Sequence, residues 1–239
     1  MSNRASAVAL SYLLIMVKLV VTLLLTPFLV RSLGIEGYGL FALVGAMAAY
    51  LYILDFGMND TVLRFFVEHE KDTTERDHFL ARVLGLYTAV GGLILLATLG
   101  LSALVGPLFV ATTAPEQLDM LRRMVLMTGG GAAVLVALNP FGALLSAAES
   151  FVYLRSMEIA VTVLSALVMV LVLLSGGDAV GVVAVTASST AIQGLMRLGY
   201  AVVVLRVRVR LALPERALLK RVGSYAAPIF VVMMAGVTL

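Results

Sequence analysis

The 239-residue chain is 62% hydrophobic and 13% charged, with a net charge of +3 and no cysteine. Its mean hydropathy is +1.07, which excludes a water-soluble domain, because such a domain would have to expose much of that apolar surface. The lack of cysteine excludes a disulfide framework and a thiolate metal site. In a bilayer, apolar surface is tolerated and each helix satisfies its own backbone amides. The apolar stretches show no alternation, which argues against a transmembrane barrel. The expected fold is all-α: a polytopic transmembrane helix bundle of six helices plus the start of a seventh. Such a chain is expected to be a channel, a transporter or a subunit of a membrane assembly.

The first span covers residues 6–30. Arg4 before it imitates the start of a signal peptide. The apolar run is too long for one, Lys18 interrupts it, and no small-residue cleavage site follows, so the helix is expected to be retained. Pro27 cannot donate to the helix ladder and is expected to bend or end this helix. A tight loop from Arg31 to Gly37 follows, in which Gly34, Gly37 and Gly39 give the turn its freedom in φ.

The second span covers 38–56 and can extend to residue 66. The loop from Glu68 to His78 is dense in both signs of charge, and Asp72-Thr73-Thr74-Glu75 offers a helix start. Further spans are expected at 79–110, 124–148, 155–175 and 179–205. Pro115 sits near a helix start in the loop 112–123. Gly129-Gly130-Gly131 permits close backbone approach, and no Lys-Ser/Thr follows, so it is not a phosphate loop. Asn139-Pro140 interrupts the ladder of the fourth span. Gly177 and Gly181 flank the turn before the sixth. Residues 206–221 form a basic connector beside the membrane, with Pro214 placed to open a short interfacial helix on an anionic leaflet. Lipid contact is favoured over nucleic acid for this run, and no nucleic-acid partner is expected. A seventh span begins near residue 222 and is still apolar at Leu239, which suggests a fragment. The domains are thus a six-helix lobe over 1–205, the connector over 206–221, and the start of helix seven over 222–239.

Charge distribution sets the topology. Most lysines and arginines fall on the side of the N-terminus, and only Arg31, Arg122 and Arg123 fall on the other. By the positive-inside rule the N-terminus is cytoplasmic, and a bacterial inner membrane is the expected location.

Charged groups inside a span cost several kcal/mol and need a reason. Lys18 lies near the middle of the first span, too deep for easy snorkelling. It either faces an aqueous cavity and attracts an anion or pairs silently with a buried carboxylate. Asp55 and Asn59 share a face of helix two near its cytoplasmic mouth. Asp60 and Arg64 share another face and can pair. Asp55, Asn59 and Arg64 are candidates for an ion site or gate, against an interhelical bridge or a cap where the helix kinks at Gly57. Gln193 and Arg197 share a face of helix six, and Arg197 can either join Lys18 in a cationic cavity or reach the headgroups. Asn139 either recruits water or satisfies the ladder broken at Pro140. Glu149, Arg155 and Glu158 are expected to pair at the surface. A membrane cavity with two basic groups suits phosphate or pyrophosphate, which Arg grips as a fork and Lys as a point charge. The loops hold no catalytic or metal-binding arrangement; no enzyme activity and no cofactor are expected.

The segment 26–64 reads Thr26-Pro27, Arg31-Ser32-Leu33-Gly34, Tyr38-Gly39-Leu40, Leu54-Asp55-Phe56-Gly57 and Arg64. In order and spacing it resembles the amino-terminal pattern of the polysaccharide biosynthesis and O-antigen flippase family. Ala217-Leu218-Leu219-Lys220 followed by Tyr225-Ala226-Ala227-Pro228 resembles that family's connector into its seventh helix. The motifs cover about a fifth of the chain. The family belongs to a superfamily that also holds peptidoglycan-precursor flippases and multidrug exporters. The resemblance implies two lobes of about six helices around a central cavity, of which this chain supplies the first. It implies an oligosaccharide on an undecaprenyl pyrophosphate carrier as substrate, moved to the outer leaflet by alternating access. Proton or sodium coupling, and contacts with a polysaccharide polymerase and glycosyltransferases, would accompany it. The family pattern places Arg31, Asp55 and Arg64 in its recurring positions, where structural roles at helix ends fit them, and Pro27, Arg31, Gly34, Tyr38, Gly39 and Gly57 form its structural motif. A cation-coupled multidrug exporter and a non-transporting scaffold of a polysaccharide synthesis complex are the competing readings.

Overall fold

The structure is a computed structural model and describes residues 2–53, 62–64, 66–67, 73–109 and 114–212. Five long helices carry it: α1 (Ser2–Ile53), α2 (Thr73–Phe109), α3 (Pro115–Ala147), α4 (Phe151–Leu174) and α5 (Ala179–Val203). All five contain a stretch long and apolar enough to cross a membrane. The helices extend past the apolar spans at several ends, because a helix need not stop where the hydrocarbon does. Thus α2 opens at Thr73, inside the expected helix start, and α3 at Pro115, whose missing N–H costs nothing in a first turn.

Residues expected to form two spans fall within α1, and its apolar part runs for 43 residues, about twice what a bilayer core takes. The break lies at Gly34, where φ is 71° and ψ is 173°. An L side chain rarely adopts that conformation. Pro27, expected to bend or end the helix, lies inside it. Pro27 removes one donor from the ladder, whereas Gly34 redirects the backbone itself.

The two arms of α1 then run in opposite senses. Before Gly34, Val21, Leu24 and Phe28 face Val163, Leu167 and Val170 of α4, and Leu29 packs with Met169 and Leu173. After Gly34, Val44 packs with Ala179 and Val183 of α5, and Ala48 lies in a cavity with Val183, Ala187 and Thr190. The first arm ascends with α4 and the second descends with α5. The turn between α4 and α5 is tight: Gly176 takes φ 86°, Gly177 N donates to Val172 O at 2.9 Å, and Asp178 Oδ1 caps α5 by accepting from Gly181 N at 3.0 Å. Gln117 Nε2 donates to Glu36 Oε2 at 2.8 Å, so the Gly34 break sits at the same end of the bundle as the start of α3.

Helix α3 is the hub. Half of its membrane window is buried, against 22% or less in the others. Small residues let its neighbours approach. A Cβ on Gly129 would overlap the buried Thr98 side chain of α2, and one on Gly131 would lie 2.7 Å from Ala187 O of α5. This is the close approach expected of the triple glycine, although Gly130 faces open space. The main core joins Tyr87 and Ile94 of α2, Val136 and Phe141 of α3, Leu154 of α4 and Ala201 of α5, with Val62 and Phe66 from the short helical stretches before α2. Pro140 is buried, and α3 continues through it; the expected interruption of the ladder does not end the helix. Apolar residues such as Leu13, Leu23, Leu164 and Leu171 are exposed, as lipid-facing surfaces require.

Candidate functional site

The polar groups within the spans gather along one stripe of α5 and where it meets α3 and α4. Thr186, Thr190, Gln193 and Arg197 follow the spacing i, i+4, i+7, i+11, which keeps one face of a helix. At the upper end of the stripe, Thr128, Thr186 and Thr190 line a cavity of about 230 Å³ with Phe41, Val44 and Ala48. The hydroxyls of Thr186 and Thr190 donate to the carbonyls four residues back, at 3.0 and 2.9 Å, so they are satisfied without a partner helix.

At the lower end lies an ionic cluster. Arg197 Nη2 is 3.5 Å from Glu158 Oε1 of α4, and each side chain is only 16% exposed. Arg197 Nη1 donates to Asn139 Oδ1 of α3 at 3.4 Å. Glu158 Oε2 accepts from Arg155 Nη1 at 2.9 Å. Gly142 makes room for the guanidinium, since a Cβ there would stand 3.2 Å from Arg197 Nη1. With a rise of 1.5 Å per residue, Glu158 and Arg197 lie about 10 Å from the nearer ends of their helices. Two arginines flank one carboxylate: Arg197 is held with it inside the bundle, and Arg155, 37% exposed, lies toward the surface. Beneath the cluster the rings of Tyr153 and Tyr200 stack at 3.9 Å, and Tyr153 OH donates to Met196 O at 2.9 Å.

Of the residues singled out from the sequence, the structure joins Arg197 and Asn139. It places Gln193 one turn above Arg197, partly buried. Glu158 and Arg155, expected to pair at the surface, do pair, but Glu158 extends the pair inward to Arg197. Lys18 is exposed on the first arm of α1, one turn before Val21, and forms no hydrogen bond or ion pair among the described residues. No described cavity holds both Lys18 and Arg197. Arg31 and Gly39 are exposed, Tyr38 packs beside Phe41 at 6.2 Å, and Arg64 is exposed and helical. Asp55, Asn59, Gly57, Asp60, the connector from 213 and the seventh span lie outside the described residues. Thr186 and Thr190 were missed from sequence, although their spacing to Gln193 and Arg197 carries the signal. Among the described residues no group of His, Asp and Glu could hold a metal ion.

No family model and no curated relative matches the chain. Solved structures do. Over 96% of its length the chain is similar to 52% of a multidrug resistance MATE family transporter of the MOP superfamily in an outward-facing conformation, with TM-score 0.71 and 19% identity. It is similar, again over 96% of its length, to 52% of a MOP superfamily transporter from Pyrococcus furiosus, with TM-score 0.67 and 20% identity. That structure is described as having a binding pocket of reverse polarity that suggests a different function. A MATE protein in complex with MaD3S matches over the same share of this chain and 53% of its own, with TM-score 0.63 and 21% identity. The likeness shows that the chain shares the fold of those proteins over nearly all of its own length, and it spans about half of theirs.

Proposed function

We propose that the chain forms the first lobe of a two-lobe flippase that moves undecaprenyl-pyrophosphate-linked oligosaccharide from the cytoplasmic to the outer leaflet by alternating access. In this reading α1 supplies two crossings, the lobe has six, and a seventh begins at 222. The N-terminus is cytoplasmic in a bacterial inner membrane. Partners would be the lipid-linked substrate, membrane lipids, and the polymerase and glycosyltransferases that make and use it.

The observation that carries the transport reading is the fold likeness over nearly the whole chain to half of a MOP transporter. The choice of an anionic substrate rests on the charge inside the spans: Lys18 exposed and unpaired among the described residues, and two arginines around Glu158. Basic groups at membrane depth attract pyrophosphate, and the lipid tail can stay in the bilayer while the head crosses. The segment from Thr26 to Arg64 adds the flippase pattern described above.

One observation favours a cation-coupled multidrug exporter instead: Glu158 is a carboxylate only 16% exposed, held between α4 and α5, as coupling to a cation would want. Deleting the complete gene separates the two readings. Loss of surface polysaccharide, with carrier-linked oligosaccharide trapped on the cytoplasmic face, supports the flippase. Normal polymer with raised sensitivity to cationic drugs refutes it in favour of the exporter. Complementation with Lys18→Ala tests the role of Lys18, and wild-type export by that variant would remove it from the mechanism.

A further inference from the structure

Below Tyr200 the chain makes an unusual exit from α5. Leu205 N donates to Tyr200 O at 3.3 Å and Val207 N to Ala201 O at 3.2 Å. Between them Arg206 takes φ 53°, a left-handed conformation that is strained for an L residue. The turn throws the chain back across the bundle. Val207 plugs into the main core at 4% exposure, and Ala212 N donates to Ala81 O of α2 at 3.0 Å. Anchored at both points, residues 207–212 are non-helical. Arg206, Arg208 and Arg210 recur every second residue, the spacing that puts alternate side chains of an extended chain on one face. All three are exposed, and none forms an ion pair among the described residues.

Opposite them stands the first part of α2. Arg76, Asp77, His78 and Ala81 close a cavity of about 490 Å³ whose other wall is Leu205, Arg206, Arg208 and Arg210. The one acid among the described lining residues is engaged: Arg76 Nη2 is 3.3 Å from Asp77 Oδ1. Among the described residues, four guanidinium groups and one imidazole therefore face a space with one paired carboxylate. Like charges so close repel one another, and left-handed strain at Arg206 adds to the cost. An anion in the cavity relieves the repulsion. Guanidinium is the side chain whose planar fork matches phosphate oxygens two at a time.

We propose that this cavity is a binding site for a phosphate group, separate from the polar stripe of α5. It lies where the described helices α2 and α5 leave the apolar region, at headgroup level. The phosphate can therefore come from an anionic phospholipid or from a soluble phosphate compound. The proposal rests on the chain's place in a membrane and not on which molecule is transported.

The test uses the complete protein in phosphatidylcholine nanodiscs, with two probes. One is a graded fraction of phosphatidylglycerol, and the other is soluble inorganic pyrophosphate. Hydrogen exchange at the amides of 76–81 and 205–212 reports occupancy, and native mass spectrometry counts retained lipid. Saturable protection by phosphatidylglycerol, weakened at least tenfold by Arg206→Gln/Arg208→Gln/Arg210→Gln, establishes a lipid headgroup site. The same pattern with pyrophosphate establishes a soluble-phosphate site. Arg208→Gln alone, on an exposed side chain, serves if the triple variant does not fold; a threefold loss is then expected. No protection by either probe, or arginine variants that bind as tightly as wild type, would overturn the proposal. So would an equal loss from Arg31→Gln/Arg122→Gln/Arg123→Gln at the opposite end, which would mean diffuse charge rather than a built site.

Discussion

Replacing Glu158 with glutamine should destabilise the bundle more than replacing Arg197 with methionine, although both changes break the same ion pair. The reason is what each leaves behind. Without Arg197, Glu158 keeps Arg155 at 2.9 Å, and methionine fills much of the space of the arginine stem; the cost is about 1 kcal/mol. Without the charge on Glu158, Arg197 stays inside the bundle at 16% exposure with only neutral amide oxygens to accept from it, that of Asn139 at 3.4 Å and that of the new glutamine. Stranding one member of a buried pair costs about 3–5 kcal/mol. The 3.5 Å separation and the remaining amide contact place this case near 3 kcal/mol. Adding Arg197→Met to Glu158→Gln should then restore about 1–2 kcal/mol, because the stranded charge is gone. Reversible unfolding in bicelles, measured for the two single variants and the double, reads all three numbers. If the cluster were worth only the roughly 0.6 kcal/mol typical of interhelical hydrogen bonds in membranes, the two single variants would be indistinguishable. A Glu158→Gln variant no less stable than Arg197→Met, or a double variant no more stable than Glu158→Gln, would refute the reasoning.

Gly131→Leu should separate α3 from α5, because its Cβ meets the backbone oxygen of Ala187 at 2.7 Å. A loss of about 2–3 kcal/mol in thermal unfolding is expected, whereas Gly130→Ala, helical and with nothing within 4 Å, should lose nothing and gain up to about 1 kcal/mol. Gly34→Ala meets no atom within 4 Å, so its cost is purely that of the backbone, about 1–3 kcal/mol in the same assay. Gly39→Ala, helical and equally unobstructed, should instead gain up to about 1 kcal/mol. The natural absence of cysteine allows single-cysteine labelling with a membrane-impermeant maleimide. Cysteines at Glu36 and Asp178 should react from one side, and at His78, Glu149 and Arg208 from the other. Labelling of Glu36 from the His78 side would contradict the reversal of α1.

The apolar spans were legible because lipid leaves a helix little choice: length and hydropathy placed the helices from α2 to α5 within a few residues at most ends, the early starts of α2 at Thr73 and α3 at Pro115 being the exceptions. The break in α1 was harder. Pro27 and Gly34 both announce irregularity, and only the folded backbone shows that the helix absorbs the proline and turns at the glycine. Arg197 could be placed with Gln193 on one face of a helix by counting residues. Its partners Asn139 and Glu158 lie 58 and 39 positions away, and no local pattern connects them. Thr186 and Thr190 escaped notice because a threonine that bonds its own helix carbonyl reads as harmless in a span. The alternation of Arg206, Arg208 and Arg210 was present in the sequence, but the run was read as a basic stretch beside the membrane. The return of the chain to Ala81, which turns charge into a cavity, is a tertiary fact.

The most direct test of transport is a translocation assay on the complete protein in proteoliposomes. They would contain a fluorescent oligosaccharide on an undecaprenyl pyrophosphate carrier, and an impermeant reductant would quench the dye on the outer leaflet. The account predicts that quenching goes beyond the share seen in protein-free vesicles and returns to that share in the Lys18→Ala variant. Quenching no greater than in protein-free vesicles, while the same vesicles accumulate a cationic dye along an ion gradient, would contradict it.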